Sequence, residues 1–256
     1  MHKPVRRELG KVLNEISGLA FHAEDSALMA ISDSKDNIFQ IQLRKEKLRD
    51  YAKNFYDQED FEDLVIVDST VYVLVSTGTL LAVPAGVQTD SLTEAYPDPF
   101  EGKNDFESLY YDPELRSLVL ICKTCEHEKG RKLRTAYRFR LDSGTFDTAA
   151  LYTISSADVE QKVRHNDAEF KPSAAAIHPI DKRLYILASA GQLLVITDRR
   201  GRVLEAYRLN PDMHPQAEGL AFAPNGTMYI SNEGKYGKAT LSVFPYQIRK
   251  NAQKQK

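Results

Sequence analysis

Long apolar runs are missing from this 256-residue chain. The longest, LVIVDSTVYVLV from Leu64, is broken by Asp68, Ser69 and Thr70, so it supplies no membrane-spanning helix. A dominant charge is missing too. The formal net charge of -2 gives no global attraction to nucleic acid or anionic lipid, and the short RKLR run at 131–134 reads as a solvated hairpin. No GxSxG, HExxH, Walker or dinucleotide Gly-rich pattern occurs, which removes the motif basis for those enzyme classes. Helical periodicity is scarce; the best helix candidates are SSADVEQKVRH at 155–165 and parts of 43–60. The opening MHKPVRRELGKV is basic without an apolar core, so the chain as given is expected to carry no signal peptide, which leaves cytoplasm open.

Cysteine is limited to Cys122 and Cys125, in the phrase CKTCEHEKG. Zinc needs four ligands, and beyond these two only His127 is near; there is no second CxxC and no paired histidine. A thioredoxin-like pair should open a helix, whereas SLVLICKTCE reads as a strand running into a loop. The expectation is a pair of incidental thiols, with a loop disulfide as the next reading.

What is present is a succession of short strands. The composition, 42% hydrophobic and 27% charged, can bury a full core. Runs such as TVYVLVS, TLLAVP, RLYILAS, QLLVITD and VLEAYRL are separated by turn chemistry at Asp112-Pro113, His178-Pro179 and Pro224-Asn225-Gly226. Many short strands with tight turns imply an all-β sandwich, barrel or propeller.

An internal repeat separates these. The phrases EISGLAF (15–21), DFEDLVI (60–66), DFESLYY (105–111), KPSAAAI (171–177) and QAEGLAF (216–222) carry Ser17, Glu62, Glu107, Ser173 and Glu218 at their third position. The intervals are 45, 45, 66 and 45 residues, one unit with a single insertion of 21. Four strands per period of about 45 residues is a propeller blade. The last blade has room for three strands, AEGLAFA, TMYISNE and ATLSVFPY, and VRRELGKVLN at 5–14 can supply the fourth. The expected fold is therefore an all-β, five-bladed β-propeller, closed by pairing the N-terminal strand with the last blade, which removes exposed edges. It is expected to be one domain over 1–250, with an insertion within about 125–170 and a polar tail at 251–256.

The first strand of a propeller blade lies nearest the axis, so Glu62, Glu107 and Glu218 should converge on one rim of the channel, with Ser17 and Ser173 completing the ring. Carboxylates brought together repel, and burial makes their charge costlier. Ca²⁺ suits such a set of oxygen donors, and Lys123 offers an internal counter-charge instead. Two readings stand side by side, a metal site and a structural hydrogen-bonded network. The turns after the second strands add Asp33 and Glu233 as further candidate ligands and Asn232 as a channel-lining group, while Ser76 and Ser189 read as turn residues.

The closing segment PQAEGLAFAPNGTMYISNEG, the DFEDL and DFESL phrases and the Ser, Glu, Glu, Ser, Glu order resemble the SdiA-regulated family of bacterial β-propellers, which is distantly similar to NHL-repeat propellers. The resemblance runs from about Leu13 to Tyr246. It implies five blades, a bound calcium ion and a periplasmic or cell-envelope location behind an N-terminal anchor, with Ser17, Glu62, Glu107, Ser173, Glu218 and Lys123 at matching positions. It carries no established activity. The chain departs from the family's pattern at Thr77-Gly78, Ala190-Gly191 and the final SNEG.

Two functional classes follow. One is a non-enzymatic, calcium-binding module for a small molecule or an envelope protein, expected to be monomeric and without nucleic-acid or membrane-inserted partners. The other is a calcium-dependent hydrolase of an ester, lactone or phosphoester, for which His214 and His165 are the candidate bases.

Overall fold

The computed structural model describes residues 4–45, 47–84, 92–165, 168–234 and 237–247. Five antiparallel sheets stand around one axis as the blades of a propeller. Blade 1 is β2 (Ile16–His22), β3 (Ala27–Ser32), β4 (Lys35–Gln42) and β5 (Lys47–Lys53); blade 2 is β6 (Phe61–Val67), β7 (Thr70–Val75), β8 (Leu80–Pro84) and β9 (Glu94–Tyr96). Blade 3 runs β10 (Asn104–Asp112), β11 (Ser117–Cys125), β12 (Leu133–Arg140) and β13 (Thr145–Phe146), with β14 (Tyr152–Ser155) also pairing with β12. Blade 4 is β15 (Ala174–Ile177), β16 (Leu184–Ala188), β17 (Leu193–Thr197) and β18 (Val203–Arg208). Blade 5 takes β19 (Ala217–Phe222), β20 (Met228–Asn232) and β21 (Thr240–Phe244) from the C-terminal end and β1 (Val5–Glu8) from the N-terminal end. The ring closes where Val5 pairs with Val243 and Glu8 with Thr240.

Alternation along each strand decides what goes where. On β16, Leu184, Ile186 and Ala188 join a core cluster with blade 3, while Leu187, on the opposite face, joins one with blade 5. Every interface between consecutive blades is filled this way, by five apolar clusters in all. Each fully buried Leu, Ile or Phe contributes about 1.5–3 kcal/mol of apolar burial.

The extra residues of blade 3 form β14 and helix α1 (Ser156–Val163). The Ser155 hydroxyl caps α1 by accepting from the Asp158 amide at 3.1 Å, Val159 is buried between blades 3 and 4, and Arg164 ends the helix in the left-handed region. The region 43–60 corrects the helical expectation. Residues 47–53 are the outer strand of blade 1, because Ala52 is buried against blade 2 while Lys47, Leu48, Arg49 and Asp50 stay exposed, and pairing with β4 overrides local propensity. Arg134 of the RKLR run is not solvated; it bonds the Phe170 carbonyl at 2.8 Å and Glu128 at 3.1 Å. Cys122 and Cys125 correct the expectation of incidental thiols: they are joined as a disulfide, with Cα atoms 6.0 Å apart. The tail 251–256 lies outside the described residues. Among the described residues no helix is long and apolar enough to cross a membrane.

Candidate functional site

The repeated phrase has a structural meaning that alternation alone would not give. In blade 1, Ile16 pairs with Ser32 and Gly18 with Ile31, so Ser17 has no partner. The same slip leaves Glu62 unpaired in blade 2, Glu107 in blade 3 and Glu218 in blade 5. Each is the extra residue of a β-bulge, a device that re-aims a side chain out of the regular pleat.

The two serines are used between blades. Ser17 donates to the Phe61 carbonyl at 2.6 Å, and Ser173 donates to the Ala217 carbonyl at 2.9 Å, each reaching the residue just before the next blade's glutamate. Asp33 and Ser76 do the same with backbone: their carbonyls accept the Phe61 and Phe106 amides at 3.2 and 2.9 Å.

The glutamates of blades 2 and 3 converge. One oxygen from each of Glu62, Asp105 and Glu107 lies within 4.8 Å of the other two. They line a cavity of about 640 Å³ that also holds Asp60, Asp98 and Asn104. Glu218 faces a neighbouring cavity of about 310 Å³ with Ser189, Gln192 and Gln216; Glu107 and Lys123 line both. Lys123 bonds Glu107 directly, and its Nζ stands 3.7 Å from Asp105.

One ammonium does not neutralise this set. Burial, reinforced by Asp60, Asp105 and Glu218 and opposed by Lys123, pushes Glu62 up to about 9. Burial and Glu233 push Glu218 up to about 7, against hydrogen bonds from Gln216 and Ser189 and the charge of Lys123. Asp33 is raised by burial and by Glu15 and Asp60. A site that raises Glu62 this far despite a nearby lysine has room for more positive charge.

The donor set fits a hard cation. Two ligands on one Ca²⁺ at roughly 2.3–2.6 Å lie no more than about 5 Å apart, a limit that the three carboxylates meet. All are oxygen donors, with no histidine or cysteine among them, which disfavours zinc. One buried oxygen of the cavity lining, Asn104 Oδ1, has no hydrogen-bond partner; Asp33, a ligand candidate from the sequence, lines neither cavity.

Other sequence candidates fall elsewhere. Glu233 bonds Gln216, whose side chain lines the Glu218 cavity. Asn232 is buried and turned away from the channel cavities toward His214 at 3.2 Å and Thr240 at 3.3 Å, which explains both that asparagine and that histidine as structural. His165 is exposed beyond α1. Sequence reasoning missed Asp105 and Asp60. The signal was available: each lies two residues before its glutamate in DFE, with Phe106 or Phe61 buried between.

The fold and this rim define a class, a five-bladed propeller with an acidic mouth to its channel. The chain belongs to the SdiA-regulated family, whose pattern it matches over residues 3–235. No curated protein matches the sequence. Among solved structures it is similar to the calcium-binding protein regucalcin from Agrobacterium tumefaciens (TM-score 0.55, 11% identity, covering 90% of this chain and 91% of that one). It is also similar to a luciferin-regenerating enzyme (TM-score 0.54, 12% identity, 95% and 97%) and to a protein provisionally described as a gluconolactonase (TM-score 0.55, 16% identity, 90% and 75%). At these identities the likeness establishes the fold alone.

Proposed function

We propose that this protein is a calcium-binding propeller of the bacterial cell envelope that uses the acidic mouth to hold Ca²⁺ and the adjoining polar cavity to bind a small molecule or a partner protein. The observation that carries this reading is the approach of Glu62, Asp105 and Glu107 to within 4.8 Å in a half-buried site whose carboxylates are under-compensated. Glu62, Asp105 and Glu107 would hold the ion, with Glu218 facing the ligand. Family membership supports the envelope location, and so does the Cys122–Cys125 disulfide, since such bonds persist in oxidising compartments.

Binding is favoured over hydrolysis because neither candidate histidine base lines the two cavities at this mouth. The test is calorimetry on metal-stripped protein titrated with CaCl₂ and with MgCl₂. Calcium-selective binding, lost in Glu107→Gln and accompanied by a rise in melting temperature, supports the proposal. Equal binding by wild type and Glu107→Gln would remove the ion from this site.

A further inference from the structure

Lys123 occupies its position through an unusual piece of strand. Asn104 pairs with Cys125 and Asp105 with Thr124, and then Phe106 pairs with Cys122, so Lys123 has no partner on β10. Ser108 pairs next with Ile121, so Glu107 has no partner on β11. Lys123 and Glu107 are thus the extra residues of two bulges on facing strands, and they bond each other. Among the described residues, none of the other four blades shows a bulge on its second strand opposite the bulge on the first.

The disulfide spans the Lys123 bulge. Residues three apart on a regular strand are separated by about 10 Å, and a disulfide needs Cα atoms within about 7 Å. The observed 6.0 Å between Cys122 and Cys125 is therefore incompatible with a regular strand. While the bond exists, the strand stays contracted and Lys123 stays aimed at the carboxylates. Without it, β11 is free to take up regular pairing, and a shift of one residue turns a side chain to the opposite face. The far end is held separately, by the Glu126 amide on the Lys103 carbonyl at 3.0 Å and the Lys103 amide on Glu126 Oε2 at 3.0 Å.

We propose that the Cys122–Cys125 disulfide is a latch that keeps the Lys123 ammonium on Glu107 and Asp105 as an internal counter-ion, and that opening it releases this competitor so that a divalent cation binds those carboxylates more tightly. The second half rests on the calcium reading above. Opening takes two electrons and two protons from a thiol reductant: the S–S bond breaks, two cysteine thiols form, and the reductant's two thiols become a disulfide. Both cysteines are buried, at 0% exposure for Cys122 and 3% for Cys125, so the latch resists bulk reductant and responds slowly.

The test compares full-length wild type, Lys123→Met, the Cys122→Ala/Cys125→Ala pair and the triple variant, all metal-stripped. Ca²⁺ affinity is measured by calorimetry and stability by metal-free thermal unfolding. Removing a fixed positive charge from the ligand set is expected to raise Ca²⁺ affinity about tenfold in Lys123→Met, with the cysteine pair giving a smaller rise of about threefold. The triple variant should match Lys123→Met in affinity, and the two changes should be non-additive in melting temperature. Wild type incubated with a phosphine reductant until its thiols titrate should shift as the alanine pair does, which guards against a folding defect in that variant. If the cysteine pair leaves affinity unchanged while Lys123→Met raises it, the latch is overturned and the cation site stands. If no variant binds Ca²⁺, the calcium reading falls and the second half of the proposal with it. Additive melting temperatures would overturn the first half on their own.

Discussion

Toward one mouth of the channel the repeat places Ser17, Glu62, Glu107, Ser173 and Glu218, of which the three glutamates line its cavities. Four residues further along the same strands, about 13 Å away, they present Phe21, Ile66, Tyr111, Ile177 and Phe222 around a cavity of about 500 Å³. At the apolar mouth every one of these residues has a regular partner: Phe21 with Leu28, Ile66 with Val71, Tyr111 with Leu118, Ile177 with Leu184 and Phe222 with Met228. At the acidic mouth four of the five blades carry a bulge instead. The apolar mouth keeps the fivefold character of the repeat, one large side chain per blade. The acidic mouth breaks it, gathering carboxylates in blades 2 and 3 and using serines to join blades. Where pairing is regular the repeat serves packing; where it slips, individual blades are free to carry chemistry.

The strongest way to break the comparison is at the waist between the mouths. Asp63 is buried, and its carboxylate accepts the Leu64 and Leu109 amides at 2.8 and 2.9 Å and also the Leu19 amide, which are equivalent positions of three consecutive blades. Burial raises its pKa and the three amides pull the other way, with burial dominant. Asp63→Ala should cost about 4 kcal/mol, because it strands three buried donors; urea unfolding measures it. Both mouths should loosen together, and a loss below about 1 kcal/mol would mean that the waist does not join them.

Gly18 comes next. A Cβ there would meet the Asp63 Cα at 2.7 Å and the Leu64 backbone nitrogen at 3.0 Å. Backbone cannot move aside as a flexible side chain would, so Gly18→Ala should destabilise by about 2–3 kcal/mol on the same measurement. Gly219→Ala, whose Cβ would meet the Ser231 hydroxyl and Leu19 Cβ, should follow it.

The acidic mouth should make stability depend on pH. A carboxyl whose folded pKa lies above its unfolded value holds a proton that the unfolded chain has released. That contribution is complete below about 4.5 and is lost as pH rises through about 7 for Glu218 and about 9 for Glu62. The metal-free protein should therefore lose stability from pH 5 to 9, with Glu62 contributing up to about 1 kcal/mol per unit above pH 7. Saturating Ca²⁺ should flatten the fall, and so should Glu62→Gln above pH 7. Thermal unfolding across this range checks the sign, and a rise in metal-free stability toward pH 9 would contradict it.

Much of this was open to reading in the sequence. The intervals between the five phrases gave the blades, and the missing strand of the last blade gave the closure through β1. The small residues Gly18, Ser108, Ala174 and Gly219 after each third position also anticipate the crowding at the waist, and Asp63 stands out among them. Which glutamates meet was not legible, because it depends on how far each bulge turns its side chain, a property of pairing between strands. Thus Asp105 replaces Glu218 in the tight cluster. The disulfide stood only as the second reading of CKTC for the same reason: three residues apart on a regular strand, Cys122 and Cys125 are too distant until Lys123 is bulged out.

The smallest effect sharpens the contrast most. Ile177→Val removes one methylene from a half-buried side chain at the apolar mouth, where neighbours on β16 and across the cavity keep their contacts. It should cost about 0.5 kcal/mol and leave Ca²⁺ affinity within about twofold, because sites this far apart with no shared partner add independently. Glu107→Gln is also a nearly isosteric change, yet it removes a charge where a bulged residue bonds Lys123 and stands beside other carboxylates. If Ile177→Val altered cation affinity as much as Glu107→Gln does, the two mouths would be coupled through the strand between them, and the division of labour along each inner strand would have to be abandoned.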